Sequence, residues 1–422
     1  MISFLISALK IIFLLGFLIL IHEAGHFFVA KLFKVKVHEF AIGFGPKILA
    51  KQGKETKYEL RLIPLGGFVR LEGEETRSED KRAFNNASIP KRMAIVAAGG
   101  AVNIVFGILV YFIIMSAMGN NVSTVVDSTI SEFAAEQYGI YSGDKIEKIN
   151  GRNINTKADI DEILKKSNGE ELTIQLERNN EEKEIKLTPT KKESKSTGIY
   201  VASNTNGKDE TQVVQVDKGS AAEKAGIKAN DIIIKFNNEE IEGKADKLIQ
   251  AIQNCKENNV EVEVKRDGEN FTTNIELDLI PTYYLGINFK LAENNFTNNV
   301  YYAFFKTGDF LDSILENLKM LFTGKVGIDQ MMGPVGISSV VSQTTGIADF
   351  LYMLAIISIS LGFTNLLPIP ALDGGKLLIL LIEAIRRKPM KEELEIGIQM
   401  VGFIILISLS IFISYKDILR IF

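Results

Sequence analysis

The feature that most limits how this chain can fold is a set of four long apolar windows. A helix needs about 20 mostly apolar residues to cross a bilayer. Met1–Ile21, Met93–Met118, Phe350–Leu372 and Ile396–Tyr415 all reach that length, with Lys10 the one charge among them. Yet 24% of the 422 residues are charged, and mean hydropathy is only +0.12. Membrane helices joined to a water-exposed part account for that mixture. The first window is also compatible with a secretory signal peptide. It lacks a basic start, and no small-residue cleavage site precedes His22, so it is expected to persist as a helix.

Lys/Arg bias orients such a chain. The stretch between the first two windows is rich in lysine and arginine, and the link between the last two reads "RRKPMK". Both are expected on the cytoplasmic side, which places segment 119–349 and both termini outside. A net charge of −4 leaves no nucleic-acid footprint, and no phosphate loop or dinucleotide fingerprint is present. Cys255 is the single cysteine, which rules out an intrachain disulfide or a cysteine-based metal cluster.

Segment 127–290 aligns with itself at an offset of 87 residues, the distance from Asp144 to Asp231. "AAEQYGIYSGDKIEKINGRNINTKAD" lies over "AAEKAGIKANDIIIKFNNEEIEGKAD" without a gap. Such self-similarity marks two copies of one module. Each copy reads as a short helix, a glycine turn, a strand, a second helix and then alternating strands such as "TIQLER" and "VEVEVK". The helix running into Gly139…Asp144 or Gly226…Asp231 resembles PDZ domains, α+β modules in which a peptide adds as an extra strand. Gly198-Ile199 and Leu285-Gly286-Ile287 look like the carboxylate-binding turn, placed late as in permuted bacterial versions. The grooves either bind peptide ends or serve as structure only; both readings stand. Further on, "FLDSILENLKMLF", Phe310–Phe322, has helical apolar spacing. It suits a helix lying on the membrane surface or one packed on the adjacent module.

The chemistry is in "HEAGH". Two of only three histidines, and a glutamate, stand in an apolar run where each ionisable group costs about 2.5–3.5 kcal/mol on insertion scales. His22 and His26 are one helical turn apart and can share a Zn²⁺, with Glu23 placed to take a proton from water. A catalytic zinc has three protein ligands and an open position. His38, in the basic "KVKVHEF", reads as structural or solvated. The third ligand is instead expected from "NLLPIPALDGG", where Pro368 and Pro370 break the helix and leave Asp373 in lipid without a partner.

Taken together, these motifs resemble the site-2 protease family of intramembrane zinc metalloproteases, and its branch with tandem PDZ-like insertions that regulates sigma factors. "GFGPKI" (43–48) and "LIPLGGFV" (62–69) look like that family's membrane-associated β-hairpin, "AAGGAVN" (97–103) its second-helix motif with Gly100 replacing a proline, and "GPVGI" (333–337) the approach to its third helix. The resemblance implies one Zn²⁺ on His22, His26 and Asp373, Glu23 as general base, and Asn365 holding the substrate backbone. It also implies that Gly66, Gly67 and Phe68 pair with an unwound substrate strand, although the two glycines equally suit a tight turn.

The expected architecture is a polytopic α-helical membrane protein with four transmembrane helices, a membrane-associated β-hairpin and two α+β PDZ-like domains between helices 2 and 3. The divisions are 1–118, 122–205, 206–292, 303–345 and 347–422. The expected function is regulated intramembrane proteolysis in the bacterial cytoplasmic membrane. Substrates are single-span proteins such as anti-sigma factors or signal-peptide remnants, already cut on the outside. Further partners are trimmed ends or C-termini at the PDZ-like grooves, and membrane lipid. A zinc transporter or a non-catalytic PDZ scaffold are the rival classes. The transporter does not need Glu23 beside a ligand, and the scaffold does not need all four site residues.

Overall fold

The computed structural model describes residues 2–421 apart from 75, 202–209, 242, 267, 325–330 and 345. They form two compact units, one of residues 2–119 with 294–419 and the other of residues 120–293.

The helical unit begins with α1 (Ile2–Leu32). The helix does not stop at the end of the first apolar window. It continues through "HEAGH", because the polar triplet leaves the backbone bonding undisturbed and the apolar periodicity resumes beyond it. Next come β1 (Val37–Gln52) and β2 (Lys57–Leu71). The expected hairpin is wider than two strands, since both strands bend: Phe40 pairs with Val69 on one side and with Tyr58 on the other, while Lys51 also pairs with Tyr58. Four lanes result, with Gly67–Leu71 at one edge. Ile48, Leu49, Leu62 and Ile63 are exposed apolar side chains of this sheet. α2 (Ile89–Met118) has Pro90 in its first turn and runs unbroken through Gly100.

In the repeat unit the first copy supplies β3 (Val122–Thr129), α3 (Ala134–Gln137), β4 (Lys145–Ile149), β5 (Arg152–Asn153), α4 (Lys157–Ser167), β6 (Leu172–Arg178) and β7 (Glu181–Leu187); β8 (Thr190–Ser196) follows. The second copy supplies β9 (Ile199–Val201), β10 (Val213–Val216), α5 (Ala221–Lys224), β11 (Ile232–Phe236), β12 (Glu239–Glu240), α6 (Ala245–Asn254), β13 (Asn259–Arg266) and β14 (Glu269–Glu276), then β15 (Asp278–Tyr284) and β16 (Ile287–Leu291).

The copies are not simply consecutive. β16, last in the chain, pairs with β3, and Leu285, Ile287 and Phe289 fill the core of the first copy. β9 pairs with β10, and Ile199 and Val201 pack on the core of the second. β8 and β15 pair with each other from Thr190–Tyr284 to Ser196–Asp278. The second copy is thus inserted into the first ahead of its closing edge strand. The division expected at 205/206 falls within 202–209, outside the described residues.

The rest of the helical unit is α7 (Phe296–Phe322), α8 (Pro334–Gln343), α9 (Ile347–Leu366), α10 (Asp373–Arg386) and α11 (Glu392–Ile421). α7 starts well before the expected Phe310 and packs on α2, with Phe296 against Phe112 and Asn299 bonded to Ser116. The third apolar window, expected to reach Leu372, ends as helix at Leu366. The prolines that follow cannot supply the backbone donors of a continuing helix. Asp373 therefore opens a separate helix between the third and fourth apolar windows. Among the described residues, four helices are long and apolar enough to cross a membrane: Leu9–Leu32, Ile89–Met118, Ile347–Leu366 and Glu392–Leu419. At about 1.5 Å per residue, 20 residues span about 30 Å. Helices α1, α2 and α9 meet through glycines. A Cβ on Gly25 would lie 2.6 Å from the carbonyl oxygen of Ala98, and one on Gly100 would lie 2.7 Å from that of Gly362. Small residues at such crossings let helices pack where no hydrophobic effect drives them together.

Candidate metal centre

His22 and His26 share one face of α1, and α10 begins beside them. His22 Nε2 lies 3.2 Å from Asp373 Oδ2, His26 Nε2 lies 3.4 Å from the same oxygen, and the two imidazole nitrogens are 3.2 Å apart. The loop that delivers Asp373 folds tightly over the first turn of its own helix. A Cβ on Gly374 would stand 2.0 Å from the carbonyl oxygen of Leu367, and one on Gly375 would stand 2.4 Å from that of Ile369. Only glycine fits under those carbonyls, which is the local reason for "LDGG".

His26 Nδ1 is 2.8 Å from the carbonyl oxygen of Ile95. A carbonyl only accepts, so Nδ1 holds a hydrogen, and in the neutral ring Nε2 carries the lone pair that can bind a cation beside Asp373. With the ring neutral, a lone pair facing a carboxylate oxygen at 3.4 Å calls for a cation between them. Asp373 Oδ2 is shut from solvent, and the two imidazole nitrogens are the polar atoms that face it. The three donor atoms lie within 4.8 Å of one another. Two imidazoles and one carboxylate are the donor set of a catalytic zinc with a position left open. Room for the ion depends on α2: a Cβ on Gly99 would sit 2.4 Å from His26 Nε2 and 2.7 Å from His22 Nε2.

A cavity of about 200 Å³ opens on this cluster, with Glu23, Phe68, Glu74 and Lys376 in its walls. The backbone of Gly67 lies close to Glu23, since a Cβ there would be 3.2 Å from Glu23 Cγ. Gly66 is placed differently. Its φ is +131°, and a Cβ would run into the Phe44 ring at 1.9 Å, so it serves the bend of the sheet. Phe68 is held by two arginines, with Arg61 4.9 Å and Arg70 5.6 Å from its ring centre. Asn365, in the last turn of α9, is half-buried and is not among the residues lining this cavity. His38 pairs with Glu72 on the sheet, away from the cluster.

Two wall residues escaped sequence reasoning. Lys376 Nζ is 2.7 Å from Glu74 Oε1. Lys376 follows Asp373 by one helical turn, a usable hint; nothing in the sequence around Glu74 marks it. Both also line a larger cavity of about 820 Å³ that includes Asp373 and reaches Gln399 and Phe403 on α11.

The model of peptidase family M50 matches residues 10–409. This chain belongs to that family. It is a multi-pass membrane protein and a zinc metalloprotease, consistent with regulated intramembrane proteolysis. A protein of Clostridium acetobutylicum named "Putative zinc metalloprotease" is 31% identical over 405 residues, covering 96% of this chain and 94% of that one. The "Regulator of sigma-E protease RseP" of Escherichia coli is 30% identical over 462 residues, covering all of both chains. The "Regulator of sigma E protease" of Haemophilus influenzae is 30% identical, covering 99% of this chain and all of that one. Among solved structures, the HtrA3 PDZ domain bound to a phage-derived ligand is similar to 22% of this chain. That match has 22% identity and a TM-score of 0.20 and covers 93% of the domain.

Proposed function

We propose that this metalloprotease works where α1 meets α10, with His22, His26 and Asp373 as the protein ligands of one zinc and Glu23 as general base. The convergence of His22, His26 and Asp373 ligand atoms within 4.8 Å of one another, from α1 and α10, carries the assignment. Zinc held there supplies a Lewis acid for the scissile carbonyl and brings water activation near neutral pH. Glu23, adjacent to His22 and facing the cavity, takes the proton of the attacking water and returns it to the leaving amine.

The substrate is a single-span membrane protein whose transmembrane segment unwinds, since a helical segment keeps its carbonyls in its own hydrogen bonds. Lane Gly67–Leu71 pairs on one side only among the described strands, so its other edge can take an extended segment as an added strand. Phe68 stands at the cavity beside that edge. Asn365 would hold the substrate backbone by family resemblance, and Gly66 shapes the turn.

The repeat modules are PDZ-like and take C-termini or ends trimmed by an earlier extracytoplasmic cut. They lie outside the bacterial cytoplasmic membrane. The zinc site is near the cytoplasmic face, as the basic Lys31–Lys36 stretch just beyond it implies. Anti-sigma factors and signal-peptide remnants are the single-span substrates we favour; sigma-factor control is in line with the Escherichia coli and Haemophilus influenzae relatives, which are named regulators of sigma-E.

The test compares wild type with Glu23→Gln in detergent, on a single-span substrate resolved by gel. Wild type is expected to cut, and the variant to lose about 10²–10⁴-fold in rate with zinc content unchanged. Equal cutting by both would remove Glu23 from the mechanism. Zinc flux in proteoliposomes without any cutting would point to a transporter.

A further inference from the structure

The segment that presents Asp373 is held in a shape its residues do not favour. Ala371 has φ +73°, in the left-handed region that a residue with a Cβ rarely adopts. The turn around it is tight, with Ile369 N donating to Leu367 O at 2.7 Å and Leu372 N to Ile369 O at 3.2 Å. Ala371 N donates instead to the side-chain oxygen Oε1 of Gln399 on α11. One helical turn further along α11, Gly402 lies against Pro370, where a Cβ would stand 2.5 Å from the Pro370 carbonyl oxygen.

Helix α11 is otherwise loosely held. Gly402, Ile413 and Asp417 are its only buried positions among the described residues. Ile413 and Asp417 meet the start of α8, where Asp417 accepts from Gly333 N and Gly336 N at 2.9 and 2.8 Å. Gln399 and Gly402 are therefore the grip of α11 on the loop before Asp373, and that grip falls on the strained residue.

We infer that Gln399 is a positioning residue for the zinc site: by accepting the Ala371 N–H it holds the left-handed turn that aims Asp373 at His22 and His26, so the docking of α11 sets the quality of the metal site. The inference rests on Asp373 being a zinc ligand. A side chain that merely filled space could be replaced by an apolar one of similar length; a positioning acceptor cannot.

The test uses the full chain in detergent, loaded with Co²⁺ for its visible spectrum and, separately, with Zn²⁺ for retention against a chelator. Gln399→Leu is expected to release zinc at least about tenfold more readily, as is usual when support for a ligand is removed. Its cobalt spectrum should move toward that of Asp373→Ala. Gln399→Glu, which keeps an acceptor, should stay near wild type. Ala371→Gly relieves the strained turn and should restore most of the loss when combined with Gln399→Leu. Gln399→Met serves as a second acceptor-free variant if the leucine variant does not accumulate. An unchanged spectrum and retention in Gln399→Leu, alongside clear changes in Asp373→Ala, would overturn the inference and leave the zinc site standing. A loss shared by Gln399→Glu, or one that Ala371→Gly does not restore, would also overturn it. An unchanged spectrum in Asp373→Ala would instead remove the ligand assignment on which the inference rests.

Discussion

Asp144 in the repeat unit and Asp373 in the helical unit are both carboxylates drawn into the interior, and the chain treats them in opposite ways. Asp144 is 1% exposed and meets Arg178 through Nε and Nη2, each at 2.7 Å; the same guanidinium reaches the carbonyl oxygen of Gly139 at 2.7 Å. The second copy repeats the clasp, with Arg266 at 2.7 and 2.8 Å from Asp231 and at 2.7 Å from Gly226 O. Asp373 has no such partner. The lysine one turn away from it is engaged by Glu74, and its neighbours are two imidazoles. A carboxylate whose counter-charge is built into the chain belongs to the scaffold. One faced by two imidazoles, which can share a metal ion with it, marks a candidate site.

This contrast can be broken first at Arg178. Removing one partner of a buried pair strands the other charge, at about 3–5 kcal/mol. Arg178→Met is therefore expected to lower the stability of the repeat unit by about 3 kcal/mol, read by denaturant unfolding of the full chain, with zinc content unchanged. Loss of zinc in that variant would mean that the two carboxylates are not independent.

A smaller effect is expected at Gly99. Gly99→Ala places a methyl group on both imidazole nitrogens proposed to hold the metal, and metal affinity should fall about 10–100-fold, as for other perturbations of ligand support. Competition with a zinc chelator measures this, and the unfolding of the repeat unit should not change.

The smallest effect is acid sensitivity. Burial by itself pushes the Asp144 carboxyl up. The hydrogen bonds from Arg178, with one from Tyr141 N, outweigh it and hold the group below its ordinary value. A depressed folded value contributes stability that is fully present above the unfolded carboxylate value of about 3.9 and is lost as pH falls through the folded one. The repeat unit should therefore weaken only below about pH 4, and Asp144→Asn should flatten that dependence. Loss of stability beginning near pH 6 would contradict the clasp as its cause.

Much of the candidate metal site is legible because the bilayer makes polar residues conspicuous. His22, Glu23, His26 and Asp373 each break an apolar run, and the prolines ahead of Asp373 announce that backbone groups there need partners. What supports them was not legible. Ile95 acts through a carbonyl, Gly99 through the absence of a side chain, and Gln399 through one hydrogen bond to a turn 28 residues away. None of these leaves a pattern in a single sequence.

In the repeat unit the two copies were plain from their common spacing, but their interleaving was not. Nothing in β9 or β16 says which copy each will close. The arginine clasp was hidden by a shift of one residue. An offset of 87 sets Arg178 over Lys265 rather than Arg266, so a gapless alignment passes over the pair that matters.

The central claim is that Asp373 and the two histidines complete their charge with a metal, and zinc content tests it most directly. Wild type, His22→Ala, Asp373→Ala and Arg178→Met would be washed with a mild chelator and analysed for zinc per chain. The account predicts one zinc in wild type and in Arg178→Met, and almost none in His22→Ala and Asp373→Ala. Equal zinc in all four would contradict it.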